Sequence, residues 1–178
     1  DIDDAAIVAL ALDELGDGRP SVERACRWMA GMQSANGGWG AFDADNDAQW
    51  LYKIPFCDFG AVTDPPSADV TAHVVELLAR EQGYEENVRR GIDYLLDEQE
   101  EDGSWFGRWG VNYIYGTGAV LPALRAVGFP PDHPPIRPQV AWLDHGSWRP
   151  APPSARSTGT ARRSGWKRGG PRRSGRRS

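Results

Sequence analysis

The sequence predicts an all-α fold, and three observations carry that prediction. Apolar residues recur at helical spacing in five stretches, with a sixth beginning near residue 138. Serine, glycine and proline stand where those stretches start and stop. A helix followed by a turn that runs from Gln to Trp occurs twice, which is the mark of a repeated helical unit.

The elements follow in order. Asp4 opens a helix over residues 4–15, with an apolar run at 5–12 and a stop at Gly16-Asp17-Gly18-Arg19-Pro20. Ser21 is the candidate cap of the next helix, in which Ala25, Trp28, Met29 and Met32 keep helical spacing as far as Gln33. Residues 34–40 form a turn. Residues 40–66 are aromatic, punctuated by glycine and proline, and without period; so long an irregular stretch in a compact domain usually carries function. Ser67 is the candidate cap of a helix over 67–81 that aligns Val70, Val74, Leu77 and Leu78. A helix over 85–99 points Val88, Ile92, Leu95 and Leu96 inward, and a second turn occupies 100–105. A short helix over 117–127 is stopped by Gly128 and Pro130-Pro131, and residues 138–143 begin one more.

The repeat is explicit. Gln33 and Gln99 are 66 residues apart, as are Trp39 and Trp105, and each Gln precedes its Trp by six. A Gln at a helix end can hydrogen-bond the backbone of the next turn, with the Trp stacked over it. Such units tie neighbouring helices together and carry no chemistry themselves.

At 178 residues the chain suits one domain or part of a larger one. It begins with Asp rather than Met and is expected to be an internal piece of a longer protein. No apolar stretch approaches the roughly 20 residues that span a bilayer. Cys26 and Cys57 have neither metal nor disulfide spacing, so a reducing compartment is expected. The net charge of −5 joins two unlike parts: residues 1–146 carry −15, and residues 147–178 carry +10 with no acid at all. Residues 1–145 are therefore read as the helical domain. Residues 146–178, rich in Arg, Ser, Gly and Pro, are read as a disordered basic tail, the product of a frame change or a mispredicted coding region. A basic arm for phosphate binding is the weaker alternative, and nucleic acid is not an expected partner.

The chemistry is expected at the front of the chain. Asp1-Ile2-Asp3-Asp4 places three carboxylates in four positions at the head of a helix. Acidic residues at that place are ordinarily caps that meet free N–H groups and the positive dipole end. In a buried site, however, three such groups cannot all carry charge cheaply, so one is expected to keep its proton. An acid of that kind suits the protonation of a very weak base such as an alkene.

Two Gln–Trp repeats with an Asp-x-Asp-Asp opening resemble the triterpene cyclases, specifically the bacterial squalene–hopene cyclases. Phe56-Cys57-Asp58-Phe59-Gly60, Thr63-Asp64-Pro65-Pro66-Ser67, Asp69-Val70-Thr71-Ala72-His73 and the segment from Gly103 to Tyr113 are also similar to that family, so the likeness runs over residues 1–129. The resemblance implies a partial α/α (α6–α6) barrel and protonation-initiated cyclisation of squalene to hopene and hopanol, with no cofactor and no metal. It implies Asp3 as proton donor, Asp1 and Asp4 as flanking acids, His73 as the hydrogen-bond partner of the acid, and Tyr115 in proton return through ordered water. A cationic imidazolium would steady the ionised acid. Asp69, one helical turn before His73, could fix its ring. Phe42, Phe59 and Trp109 fall on cavity-lining positions, where ring faces stabilise a cation without acting as base or nucleophile. Phe42 stands where some members carry Tyr. Phe56 and Cys57 match the constriction through which substrate enters. The resemblance further implies a polyprenyl hydrocarbon substrate and a peripheral, monotopic seat on the cytoplasmic face of the bacterial inner membrane. A homodimer is the assembly the complete enzyme could form.

The likeness fades after Asp144. A third repeat starts at residues 140–144 but lacks its Gln, and Gly146-Ser147-Trp148 arrives too soon. About half a barrel's helices are present, so the chain alone is expected to be inactive. Two other readings compete: within the class, a cyclase for another polyprenyl chain such as the sporulenol type, and outside it, a non-catalytic helical-repeat protein or remnant whose basic tail binds nucleic acid. Class II diterpene cyclases share the acidic motif but not the segments at 56–60 and 103–113. Oxidosqualene cyclases carry a Cys near the acid instead of the triple Asp. Prenyltransferase β subunits hold zinc through Asp, Cys and His; Cys57, Asp69 and His73 do not have a recognised zinc spacing.

Overall fold

The computed structural model describes residues 1–46, 63–110, 112–130 and 136, all within the unit Asp1–Ser147. The basic tail, the helix expected from 138 and the stretch at 47–62 lie outside the described residues. Those described form five α-helices and no strand: α1 (Ile2–Leu15), α2 (Arg19–Gly31), α3 (Ala68–Leu78), α4 (Glu85–Asp97) and α5 (Asn112–Ala126).

Helix α3 is the centre. Nine of its eleven residues are buried, so it has no solvent face and must be surrounded. It packs on α5, α4, α1 and α2. Val70, Val74, Leu77 and Leu78 are fully buried, as the spacing predicts, and so are Asp69, Thr71 and Val75. Its backbone begins after Ser67, but the Ser67 hydroxyl does not cap it; that hydroxyl donates to Asp69 Oδ1 at 2.6 Å.

Three helices start elsewhere than the sequence suggests, the first being α1, which begins at Ile2 rather than Asp4. Helix α2 begins at Arg19, not Ser21. Its N-cap is Gly18 at φ 66°, and Pro20 sits in the first turn, where its missing N–H leaves nothing unsatisfied. Ser21 is thus inside the helix, and its hydroxyl accepts from Arg24 at 2.8 Å. The buried stripe of α2 is Val22, Cys26 and Met29, while Trp28 is 43% exposed. Helix α5 begins at Asn112 rather than Thr117. Gly116 is a poor helix former by propensity, yet a Cβ there would lie 2.5 Å from the Trp105 carbonyl oxygen, so close backbone packing demands glycine.

The two Gln–Trp units fold alike. Gln33 Nε2 donates to the Gly37 carbonyl at 2.8 Å, and Gln99 Nε2 to the Gly103 carbonyl at 2.9 Å. Gly37 and Gly103 take positive φ, 94° and 87°, which closes each turn. Trp39 Nε1 donates to the Met29 carbonyl at 2.7 Å, and Trp105 Nε1 to the Leu95 carbonyl at 2.5 Å. Both indoles are fully buried. Each therefore supplies a donor to a carbonyl in the last turn of the helix before it, a region short of intrahelical partners.

Candidate active site

The head of α1 is held by tertiary structure as well as by its own cap. Asp1 Oδ1 accepts from the N–H groups of Asp3 and Asp4 at 2.8 and 3.2 Å, and Ile2 N–H donates to the Ala41 carbonyl at 2.7 Å. The ordinary capping role is thus real for Asp1, and it starts the helix two residues earlier than Asp4. The cap places Asp3 in the first turn with its side chain toward α3.

Asp3 meets His73 there. Asp3 Oδ1 and His73 Nδ1 are 2.6 Å apart, and each side chain is only 14% exposed. The contact needs one proton. On Nδ1 it is donated to the Asp3 carboxylate; on Oδ1 it is donated to the imidazole. Among the described residues, Asp3 Oδ2 has no hydrogen bond. Tyr115 stands edge-on to His73, with ring centroids 6.3 Å apart, and is 37% exposed. Its ring rests directly on the backbone of Gly110, where no Cβ has room. Burial, and next the charge of Asp3, hold the Tyr115 hydroxyl above its ordinary value of 10.0, so it stays protonated at neutral pH.

Asp4 turns to solvent. Asp69 is fully buried, but it does not reach the His73 ring. Its Oδ1 accepts from Ser67 Oγ and Val70 N–H, and its Oδ2 from Trp109 N–H at 2.8 Å. The i, i+4 spacing places Asp69 and His73 on neighbouring turns, but backbone donors on either side claim the carboxylate first. Asp69 thus holds Trp109 in place instead of orienting the histidine.

Phe42 and Trp109 form an edge-to-face pair with centroids 5.7 Å apart. Both rings are about half exposed, so Phe42 is not a core residue. The Arg108 guanidinium lies 5.7 Å from the Trp109 ring centroid. Phe56, Cys57 and Phe59 lie outside the described residues. Asp3, His73, Tyr115, Phe42 and Trp109 thus come from three helices and two loops. The described residues contain no group of three His, Cys, Asp or Glu side chains able to hold a metal.

Two positions escaped the sequence reading. The Thr71 hydroxyl accepts from Trp39 N–H at 2.9 Å, and the Thr117 hydroxyl from Trp105 N–H at 3.0 Å. Each threonine is fully buried and two residues from a site residue, His73 or Tyr115. No shared spacing announces them: Thr71 follows its Trp by 32 residues and Thr117 by 12.

Residues 1–149 match the family described as the squalene-hopene cyclase C-terminal domain. The chain is 55% identical over 136 residues to the squalene–hopene cyclase of Alicyclobacillus acidocaldarius, an alignment covering 72% of this chain and 21% of that protein. It is 49% identical over 162 residues to the squalene–hopene cyclase of Zymomonas mobilis, covering 83% and 25%. It is 40% identical over 159 residues to the dammaradiene synthase of Dryopteris crassirhizoma, covering 80% and 23%. The chain therefore spans a quarter or less of the length of these relatives.

Proposed function

The chain belongs to the squalene–hopene cyclase family, with its terpene-cyclase α/α-barrel fold, and on that premise we propose that it supplies the acid end of a site that cyclises squalene. The observation that carries this reading is the short Asp3–His73 contact across two helices. With the proton on Asp3 Oδ2, the acid transfers it to the terminal alkene of the polyene. The π pair forms the new C–H bond, a tertiary cation remains, and the Asp3 carboxylate is left hydrogen-bonded to Nδ1–H of His73. Asp1 caps the turn that presents Asp3 and so orients the donor, and Asp4 flanks it on the solvent side.

The cation then moves along the folded chain. The half-exposed faces of Phe42 and Trp109 are suited to stabilise it, with Phe59 as a further ring, and Phe56 and Cys57 line the entry. Loss of a proton ends the sequence as hopene, and capture of water ends it as hopanol. Tyr115, kept protonated beside His73, is placed to help return the proton through water. A polyprenyl hydrocarbon reaches such a site most directly from a membrane, so we assign the complete enzyme a monotopic seat on the cytoplasmic face of the inner membrane. No described helix is long and apolar enough to cross one.

The test uses a hybrid in which residues 1–129 replace the matching segment of the Alicyclobacillus relative. The hybrid is expected to convert squalene to hopene and hopanol, read by gas chromatography with mass detection. Asp3→Asn keeps the shape but has no acidic proton, and should lower turnover by about 100- to 10,000-fold, the usual contribution of a general acid. Retained turnover in Asp3→Asn would remove Asp3 from the role.

A further inference from the structure

We propose that Asp64 is a positioning residue that governs how far cyclisation proceeds, because its side chain holds the backbone beneath Phe42. The proposal rests on the reading above that Phe42 and Trp109 face the moving cation. Asp64 is buried, at 7% exposure, and is one of few polar side chains so enclosed. Its Oδ2 accepts from Phe42 N–H at 2.5 Å and from Asp43 N–H at 3.0 Å. Its own N–H donates to the Asn46 carbonyl at 2.9 Å. Asp64 therefore grips the segment 42–46 at both ends.

The same stretch of chain holds the other ring. The Thr63 carbonyl accepts from Arg108 at 3.1 Å, and that guanidinium stands by the Trp109 ring. Asp69 accepts from Trp109 N–H. The backbone N–H of each partner in the Phe42–Trp109 pair thus ends on a buried carboxyl group, Asp64 for one and Asp69 for the other. Among the described residues both rings are about half exposed, so packing against those neighbours does not set their place. The backbone anchors do. Hydrogen bonds onto a carboxylate are the stronger kind, which suits them to the task.

Gly40 completes the arrangement. A Cβ at Gly40 would lie 2.6 Å from the Asp64 carbonyl oxygen and 2.7 Å from Oδ2, so only glycine lets the carboxyl group close on Phe42. A ring moved from its position stabilises a passing cation less. That cation then loses a proton from the adjacent carbon to water, leaving a partly cyclised alkene.

The experiment compares the hybrid with its Asp64→Ala, Asp64→Asn and Gly40→Ala variants. Asp64→Ala and Gly40→Ala should raise the share of partly cyclised hydrocarbons several-fold, with Asp64→Asn, which keeps an acceptor oxygen, closer to the parent. An unchanged product distribution with only lower turnover or a lower melting temperature would overturn the proposal and leave Asp64 a structural residue. Crystal structures of the parent and Asp64→Ala hybrids give a second readout. The Phe42–Trp109 separation should leave 5.7 Å, and an unmoved pair would overturn the proposal whatever the activity. A parent hybrid that turns over no squalene would sink the cyclase reading instead, and the ring geometry would still decide this one.

Discussion

Asp1, Asp3 and Asp4 share one turn yet do three different things. Asp1 accepts the first free N–H groups of α1, Asp3 meets His73, and Asp4 faces solvent. Their separation follows from helix geometry, since residues at positions one, three and four of a turn point in different directions. Cys26 shows burial acting on a side chain with no partner chemistry. Fully enclosed, its thiol is pushed up from 9.0 to about 11, first by burial and next by the charge of Glu81. The unfolded thiol ionises first as pH rises, so this group's contribution to stability is full below about 9 and is lost as pH passes through about 11. At pH 8 its thiolate population is about 100-fold below that of the unfolded thiol. Iodoacetamide should therefore modify the Cys26 peptide of the native hybrid at least that much more slowly than in urea. Equal rates would show that the thiol is reachable and ordinary. The residue types at the acid site were legible from the resemblance. The failure of Asp69 to reach His73 was not, because its two oxygens are claimed by a hydroxyl and two backbone donors, one of them 40 residues away.

At the scale of elements, the Gln–Trp unit is a lock with three parts. Gln closes the turn, the indole N–H meets the preceding helix, and a threonine on another helix receives the Trp backbone N–H. The first two parts are close in sequence and could be read from spacing. The third depends on which helix packs against the turn. Thr71→Val removes the acceptor while keeping the shape, and leaves a buried N–H unsatisfied. It should cost the hybrid about 1–3 kcal/mol, and Thr117→Val a similar amount, read as a lower urea midpoint. Thr71→Ser keeps the acceptor and should recover much of the loss; a Val variant as stable as the parent would show that the lock is idle. The misplaced helix starts have the same origin. Ser21 is a good cap by type, but Pro20 already fits the first turn and Gly18 supplies the left-handed residue before it. Gly116 weakens the pattern of α5, and only its approach to Trp105 explains why it is tolerated.

At the scale of the molecule, the described residues leave large apolar side chains uncovered. Ile7, Val8 and Leu15 on α1 are 43%, 57% and 78% exposed, and Phe42, Trp109, Ile114 and Tyr115 are also open. The aligned residues take in a quarter or less of the Alicyclobacillus and Zymomonas squalene–hopene cyclases, so most of what could enclose a cavity lies outside the segment these 178 residues match. An unenclosed cation is quenched by water. The purified 178-residue chain is therefore expected to give no hopene or hopanol from squalene, while the hybrid does. Product from the isolated chain would refute the need for a closed cavity.

The sequence by itself determined the helical class, the two Gln–Trp turns and an acidic helix head, because each rests on local spacing and on residue types that stand close together. The choice of Asp3 as candidate acid came instead from the resemblance. Periodicity, turn glycines and an acidic helix head are short-range properties, and short-range physics decides them. The tertiary structure alone decided that Asp69 serves Trp109 and that Asp64 lies under Phe42, and it supplied the 2.6 Å Asp3–His73 contact across 70 residues that the resemblance only implied. A hydrogen bond is decided by which donors are brought within about 3 Å, and the packing of α3 among its neighbours sets that.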